Sequence, residues 1–196
     1  LARGDAVGAA AVLEGIEGPR SGVERAYLLF DAGEVEEGRR SLLLALPGLE
    51  PSDATEVIQL VGLMGRLSAE GAELLAAAGV RAHWGQPSEA ARALTDGVGS
   101  LAQDDHPPIL AQAARIAQGG ELLSEAALIH ERILTEFSDS PEAGEAALAL
   151  ARYRASTADG VAAAIALLEE LITSRPNAAV VPDARLELER LRGRGR

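Results

Sequence analysis

Apolar side chains recur along most of this chain at the three- and four-residue spacing of an amphipathic helix. Two series show the spacing clearly: Leu122, Ala126, Ile129, Ile133 and Phe137, and Val161, Ile165, Leu168, Leu171 and Ile172. Each series places its apolar residues on one face of a helix. No long stretch shows the period of two that a half-buried strand requires. The pattern therefore predicts an all-α fold.

Turn signals divide this helical pattern at regular intervals. Six segments contain proline, which suits the first turn of a helix: GIEGPRSG (15–22), LPGLEPSD (46–53), WGQPSE (84–89), QDDHPP (103–108), FSDSPE (137–142) and SRPNAAVVPD (174–183). Shorter glycine or polar turns occur at 3–5, 32–34, 118–121 and 156–160. We therefore expect helix, tight turn, helix and longer loop, repeated along the chain.

The chain is also similar to itself at a fixed distance. Ser88-Glu89-Ala90 recurs 36 residues later as Ser124-Glu125-Ala126, and Ala126 aligns with Ala164, 38 residues further on. Two helices within a period of this length indicate a helical solenoid.

Small residues and turns recur at matching points of this period. The small residues are Ala114 and Ala151 in first helices and Gly38, Ala90, Ala126 and Ala164 in second helices; the turn glycines are Gly4, Gly33, Gly85 and Gly120, and the repeat prolines are Pro107 and Pro141. At these positions the chain resembles the tetratricopeptide repeat (TPR) family. The stretch FSDSPEAGEAALALARY (137–153) is most similar to the bacterial cell-envelope members, such as outer-membrane assembly lipoproteins and cell-division coordinators.

The resemblance implies a right-handed α–α solenoid of TPR-like helical hairpins with a C-terminal capping helix. It covers residues 85–192 well and 1–45 loosely, and leucines at 110 and 148 replace the family's first-helix aromatic. An α–α solenoid of another family is the alternative. We expect one array over 1–196: looser repeats at 1–52, an irregular hairpin or an extra helix at 53–84, clearer repeats at 85–181, and a capping helix and tail at 182–196.

Residues 1–5 read as the end of a first helix and its turn. A second helix without its partner leaves an apolar face uncovered, and terminal repeats normally need a cap. We therefore expect the sequence to be the C-terminal part of a longer repeat array, or to pack its first helix on a neighbour.

The amino-acid composition and the motifs exclude several kinds of catalysis and binding. The absence of cysteine excludes thiolate catalysis and cysteine-based metal sites. His83, His106 and His130 lack metal-ligand spacing, and no nucleotide-binding motif occurs. A net charge of −12 disfavours binding to nucleic acid, because the chain repels phosphate groups. No apolar run is long enough for a membrane span. We expect no enzyme activity, no cofactor and no metal.

Three residues are the candidate partner-binding positions. Arg115 and Arg152 each follow a small first-helix residue. In the resembled family that position faces a concave groove, where arginines suit acidic residues or a carboxylate terminus of a partner. Trp84 is either a packing anchor between repeats or an exposed anchor for a partner. The alternative for Arg115 and Arg152 is that both are ordinary surface arginines in contact with solvent.

These observations predict a non-catalytic protein–protein interaction scaffold that binds a partner protein or peptide on a helical-repeat surface. The alternative is a structural subunit of a larger envelope assembly or filament that stacks through exposed repeat ends. The envelope-type resemblance favours the periplasm or cell surface of a bacterium, with the cytoplasm as the other location.

Overall fold

The structure, a computed structural model, describes residues 3–14 and 18–194, and every regular element in these ranges is helical. The all-α prediction is confirmed for this part of the chain. The chain divides into two compact units, residues 1–109 and 110–196. Each unit is described by itself.

Unit 1 contains six α-helices within its described residues. They are α1 (Arg3–Glu14), α2 (Pro19–Ala32), α3 (Val35–Ala45), α4 (Pro51–Met64), α5 (Ala69–His83) and α6 (Pro87–Gly97), with single 3₁₀ turns at Leu46–Gly48, Val98–Ser100 and Gln103–Asp105. α2 packs against α1, α3 and α5, and α5 pairs with α6. In the segment 53–84, α5 packs more extensively on α2 and α6 than on α4, which mainly contacts α3.

Unit 2 contains the remaining helices of the described chain. They are α7 (His106–Gly119), whose residues from Leu110 onward belong to this unit, α8 (Leu123–Glu136), α9 (Glu142–Ala155), α10 (Val161–Ser174) and α11 (Val181–Arg194). α8 packs on α9, α9 on α10, and α10 on α11. The core combines alanines with leucines: Ala147, Leu148, Ala151, Ala164, Leu168, Leu171, Ala184, Leu188 and Leu191. A helix was expected after residue 181, and α11 confirms it.

Three hairpin turns close with the same pair of hydrogen bonds. In the α2–α3 turn, Gly33 N–H donates to the Phe30 carbonyl (3.0 Å) and Glu34 N–H to the Leu29 carbonyl (2.8 Å). This pair defines a Schellman motif, which requires a left-handed residue just after the helix. The α5–α6 and α7–α8 turns repeat the motif at Gly85 and Glu121, and the three left-handed φ values are +86°, +79° and +60°.

The small residues of the second helices occupy one equivalent position. Each lies five residues after the left-handed residue and donates its N–H to the residue just before its helix: Gly38 to Glu34, Ala90 to Gln86 and Ala126 to Leu122. All three are buried. A Cβ on Gly38 would lie 2.5 Å from ring carbons of Phe30, so close helix contact is the reason for the small side chain.

Two sequence expectations about turns are wrong. The segment 3–5, including Gly4, was expected to be a turn, yet Arg3 begins helix α1 and these residues are helical. Residues 1 and 2 lie outside the described residues. Gly120 was expected to supply the α7–α8 turn, but the residue with positive φ is Glu121, one position later.

Candidate binding surface

A buried alanine marks the same position in three first helices. Ala26, Ala78 and Ala114 each lie seven residues before the left-handed turn residue, and all three are completely buried. The residue after each alanine is Tyr27, Gly79 and Arg115, respectively. In α9, completely buried Ala151 is followed in the same way by exposed Arg152. We call these four residues the first-helix positions: Tyr27, Gly79, Arg115 and Arg152.

The two predicted arginines of unit 2 lie on α7 and α9, and both are exposed. Arg115 donates a hydrogen bond from Nη1 to Oε1 of Gln112 at 2.8 Å. Neither arginine forms an ion pair with the residues that the structure describes. Both guanidinium groups therefore lie on the surface without an acidic partner in the described part of the chain.

In helix α2 of unit 1 the equivalent position carries an aromatic residue. Tyr27 of α2 stacks on His83 of α5, with ring centroids 3.9 Å apart and planes 9° apart. Phe30 contacts the tyrosine ring edge-on, at 5.9 Å and 83°. His83 in turn places Nε2 3.1 Å from Oε2 of Glu24. These contacts fix the tyrosine between two helices.

Burial and the charges of two glutamates act on the phenol of Tyr27. Burial raises its pKa above the usual value of 10.0, and the negative charges of Glu56 on α4 and Glu24 on α2 raise it further. The phenol is therefore a neutral hydrogen-bond donor at physiological pH. We call Glu24, Tyr27, Glu56 and His83 the acid–aromatic patch.

Sequence reasoning missed this patch, although a signal for it was present. Tyr27 follows Ala26 just as Arg115 follows Ala114. Searching residues 1–45 for the residue that follows the small residue of a first helix would therefore have found Tyr27. Its partners Glu56 and His83 come from distant segments, and only the fold brings them to the tyrosine.

Trp84, the third predicted residue, lies at the C-terminal end of α5, directly after His83. Its backbone N–H donates to the Val80 carbonyl at 3.1 Å, and 45% of its surface is exposed. Nearly half of the Trp84 surface is therefore open to solvent, and the rest is covered by the chain.

Each unit also has a groove lined by a first helix and its two chain neighbours. In unit 1 a groove of about 330 Å³ is lined by residues of α1, α2 and α3, among them Leu29 and Leu44. In unit 2 a groove of about 490 Å³ is lined by residues of α8, α9 and α10, among them Leu134 and Ala147. Leu44 is 69% exposed and Leu128 of α8 is 66% exposed, so the second helices are the more apolar surface.

The polar segment QDDHPP contributes to the capping of helix α5. Asp105 is 4% exposed, and both its carboxylate oxygens lie 3.2 Å from the backbone nitrogen of Ser68, the N-cap of α5. His106 Nε2 lies 3.1 Å from the Leu101 carbonyl. Within the described residues, no three histidine or acidic side chains are placed to hold a metal ion. Asp105 therefore serves to cap a helix.

No helix in the described part of the chain is both long and apolar enough to cross a membrane.

Comparisons with protein-family models, with curated proteins and with solved structures gave no match to this chain.

Proposed function

We propose that this protein is a non-catalytic scaffold that binds another protein or a peptide at its first-helix positions. The supporting observation is the buried alanine that recurs in α2, α5, α7 and α9, followed by tyrosine in α2, glycine in α5 and arginine in both α7 and α9. A constant packing residue beside a variable outward one is how repeat proteins combine a fixed frame with a specific surface.

We further propose that the hairpins are TPR-like repeats of a right-handed solenoid. Support comes from the three Schellman turns and from the equivalent small residues Gly38, Ala90 and Ala126. The proposed bacterial envelope location follows from the same resemblance, and fractionation of the cell that makes the protein tests it.

The arginines Arg115 and Arg152 are proposed to bind carboxylates of the partner. This proposal is tested by capturing binding proteins from a lysate of the cells that make the chain. The capture compares wild type with the double variant Arg115→Glu/Arg152→Glu. The matched control is Arg92→Glu/Arg185→Glu, which makes the same charge change at two exposed arginines of α6 and α11. We expect a partner that wild type and control retain and the first-helix variant loses. Capture of identical proteins by all three would contradict the proposal.

The alternative, a structural subunit of a larger assembly, is favoured by the exposed leucines of the second helices, such as Leu44 and Leu128. Sedimentation velocity separates the two hypotheses. The scaffold hypothesis predicts a monomer of 20.3 kDa at all concentrations, and the assembly hypothesis predicts larger species that Leu44→Glu and Leu128→Glu remove.

A further inference from the structure

We propose that the loop between α9 and α10 contains a site of spontaneous chemical modification, at which Asp159 isomerises to isoaspartate through its peptide bond to Gly160. The inference goes beyond the proposed binding function and does not depend on it. The sequence contains two Asp-Gly pairs, Asp96-Gly97 and Asp159-Gly160, and the fold selects the second.

The reaction needs only water. The amide nitrogen of Gly160 attacks the side-chain carbon Cγ of Asp159 and a C–N bond forms, while the hydroxyl of the protonated carboxyl leaves as water with the amide proton. The product is a five-membered cyclic imide. Water then adds to one of the two imide carbonyl carbons, and opening on the main-chain side leaves the chain running through Cγ, which is isoaspartate. The overall composition does not change, and no oxidant or cofactor takes part.

The first argument is the freedom of the backbone at Asp159. Helix α9 ends at Ala155 and α10 begins at Val161, so Asp159 lies outside both helices. Its side chain is exposed and has no hydrogen-bond or ion-pair partner among the described residues. Ring closure requires the ψ angle of the aspartate to leave the helical value, and in this loop that rotation breaks no hydrogen bond within a helix.

The second argument is the weak restraint on the attacking amide. Gly160 N–H donates to the Thr157 carbonyl at 3.3 Å, the longest of the three backbone hydrogen bonds that residues 156–160 donate. The other two, from Ser156 and Thr157, are 3.0 Å long and tie the first half of the loop to α9. A distance of 3.3 Å lies beyond the usual N–H···O range, so this amide loses little when it turns toward the carboxyl group.

The third argument is that the turn requires glycine at position 160. A Cβ at this position would overlap the carbonyl oxygen of Arg154 and Oγ1 of Thr157. Glycine is also the residue that hinders ring closure least, because no side chain obstructs its nitrogen. The packing of the turn therefore retains the residue that makes the preceding aspartate most reactive.

The other Asp-Gly pair is protected by its helix. Asp96 is also exposed, but Asp96 and Gly97 are the last two residues of α6. Helical hydrogen bonds hold the backbone angles there. Gly97 also packs closely on α5, since a Cβ built on it would lie 2.9 Å from Cδ1 of Leu74. Cyclisation at Asp96 therefore requires the end of the helix to unwind first.

Isomerisation at Asp159 lengthens the backbone by one atom immediately before α10. The Gly160 carbonyl accepts the Ala164 N–H at 2.9 Å in the first turn of this helix. α10 also contributes Ala164, Leu168 and Leu171 to the core of unit 2. A longer backbone displaces the start of α10 from this packing, so we expect the modified chain to unfold at a lower urea concentration than the fresh chain.

The test measures cyclisation directly with heavy oxygen. The folded chain is incubated at neutral pH in water enriched in ¹⁸O, and each hydrolysed imide retains one heavy atom. Trypsin, used in ordinary water, then separates the two pairs into residues 93–115 and 155–185, since it does not cut before Pro176, and fragment spectra locate the label. We expect Asp159 to gain label about tenfold faster than Asp96, the factor that corresponds to one net helical hydrogen bond.

Two controls separate the effect of the fold from that of the dipeptide. In concentrated guanidinium chloride both pairs should gain label at similar rates, because neither is held by structure. Asp159→Glu should remove the label at 159, because its ring would need six members, and the matched variant Asp96→Glu should leave that label unchanged. Equal labelling of the two pairs in the folded chain, or no label at Asp159, would overturn the proposal.

The structural consequence has its own readout. Wild type and Asp159→Glu are aged together and then compared by urea denaturation. Wild type should lose stability in proportion to its isoaspartate content, and Asp159→Glu should keep the stability of the fresh variant. An equal loss in both chains would place the damage elsewhere and overturn the predicted effect on α10.

Discussion

At the scale of single residues, one buried histidine makes the stability of this protein depend on pH. His130 of α8 is 7% exposed, and its Nε2 lies 3.3 Å from Nε2 of Gln118, while Nδ1 is buried without a partner among the described residues. Burial lowers its pKa from 6.5 to about 4. The folded chain therefore favours neutral His130, and the unfolded chain takes up a proton first as the pH falls.

This difference predicts a loss of stability in mild acid. The contribution of neutral His130 to the free energy of unfolding is complete above pH 6.5 and is lost as the pH falls to about 4. The expected cost at the lower limit is about 3 kcal/mol, since each pKa unit corresponds to about 1.4 kcal/mol. Urea denaturation across this range measures it, with His130→Gln as the comparison. The variant should lose less stability on acidification, and an equal loss in both chains would contradict the assignment.

A second residue-scale prediction uses two glycines in helices. Gly38→Ala should destabilise the α2–α3 hairpin by about 1–3 kcal/mol, because the new methyl group overlaps the buried ring of Phe30. Gly62 of α4 has no atom within 4 Å of a built Cβ, so Gly62→Ala should stabilise by about 0.5–1 kcal/mol. Thermal unfolding of both variants gives the signs. A loss of stability in Gly62→Ala, or none in Gly38→Ala, would be incompatible with this packing.

At the scale of elements, the Schellman turn is the unit that recurs. Sequence reasoning located the α7–α8 turn at 118–121 but chose the wrong residue, because glycine is the usual left-handed residue and Gly120 was available. The helical hydrogen bonding extends further than expected, with Gly120 N–H still donating to the Ile116 carbonyl. The left-handed position therefore falls on Glu121, a residue that pays a steric penalty there.

Replacing this residue tests the equivalence of the turns. Glu121→Gly should stabilise the protein by about 0.5 kcal/mol, because relief of left-handed strain exceeds the entropy that glycine adds to the unfolded chain. Gly85→Ala, at the equivalent turn of unit 1, should destabilise by about 1 kcal/mol. Both changes are measured by urea denaturation. Changes of opposite sign in the free energy of unfolding of the two variants would support the equivalence of the turns. Changes of the same sign would contradict this equivalence.

At the scale of the whole chain, the features encoded by short-range sequence patterns could be predicted, whereas contacts between distant segments could not. The helical periodicity and the small residues, such as Ala90 and Ala126, are short-range signals, and the structure places them as the spacing indicates. The division into two units and the contact between Tyr27 and His83 depend on packing between segments far apart in sequence. No periodicity encodes such contacts, which is why the acid–aromatic patch was not predicted.

The central claim is that the partner binds at the first-helix positions. The chain has no cysteine, so single cysteines introduced at chosen sites can each carry a benzophenone photo-crosslinker without background. The sites are Arg115→Cys and Arg152→Cys on first helices and Leu128→Cys on the second helix α8, all at exposed residues. After illumination with the captured partner, the account predicts crosslinks from 115 and 152 and none from 128. Crosslinks from 128 without any from 115 or 152 would contradict it.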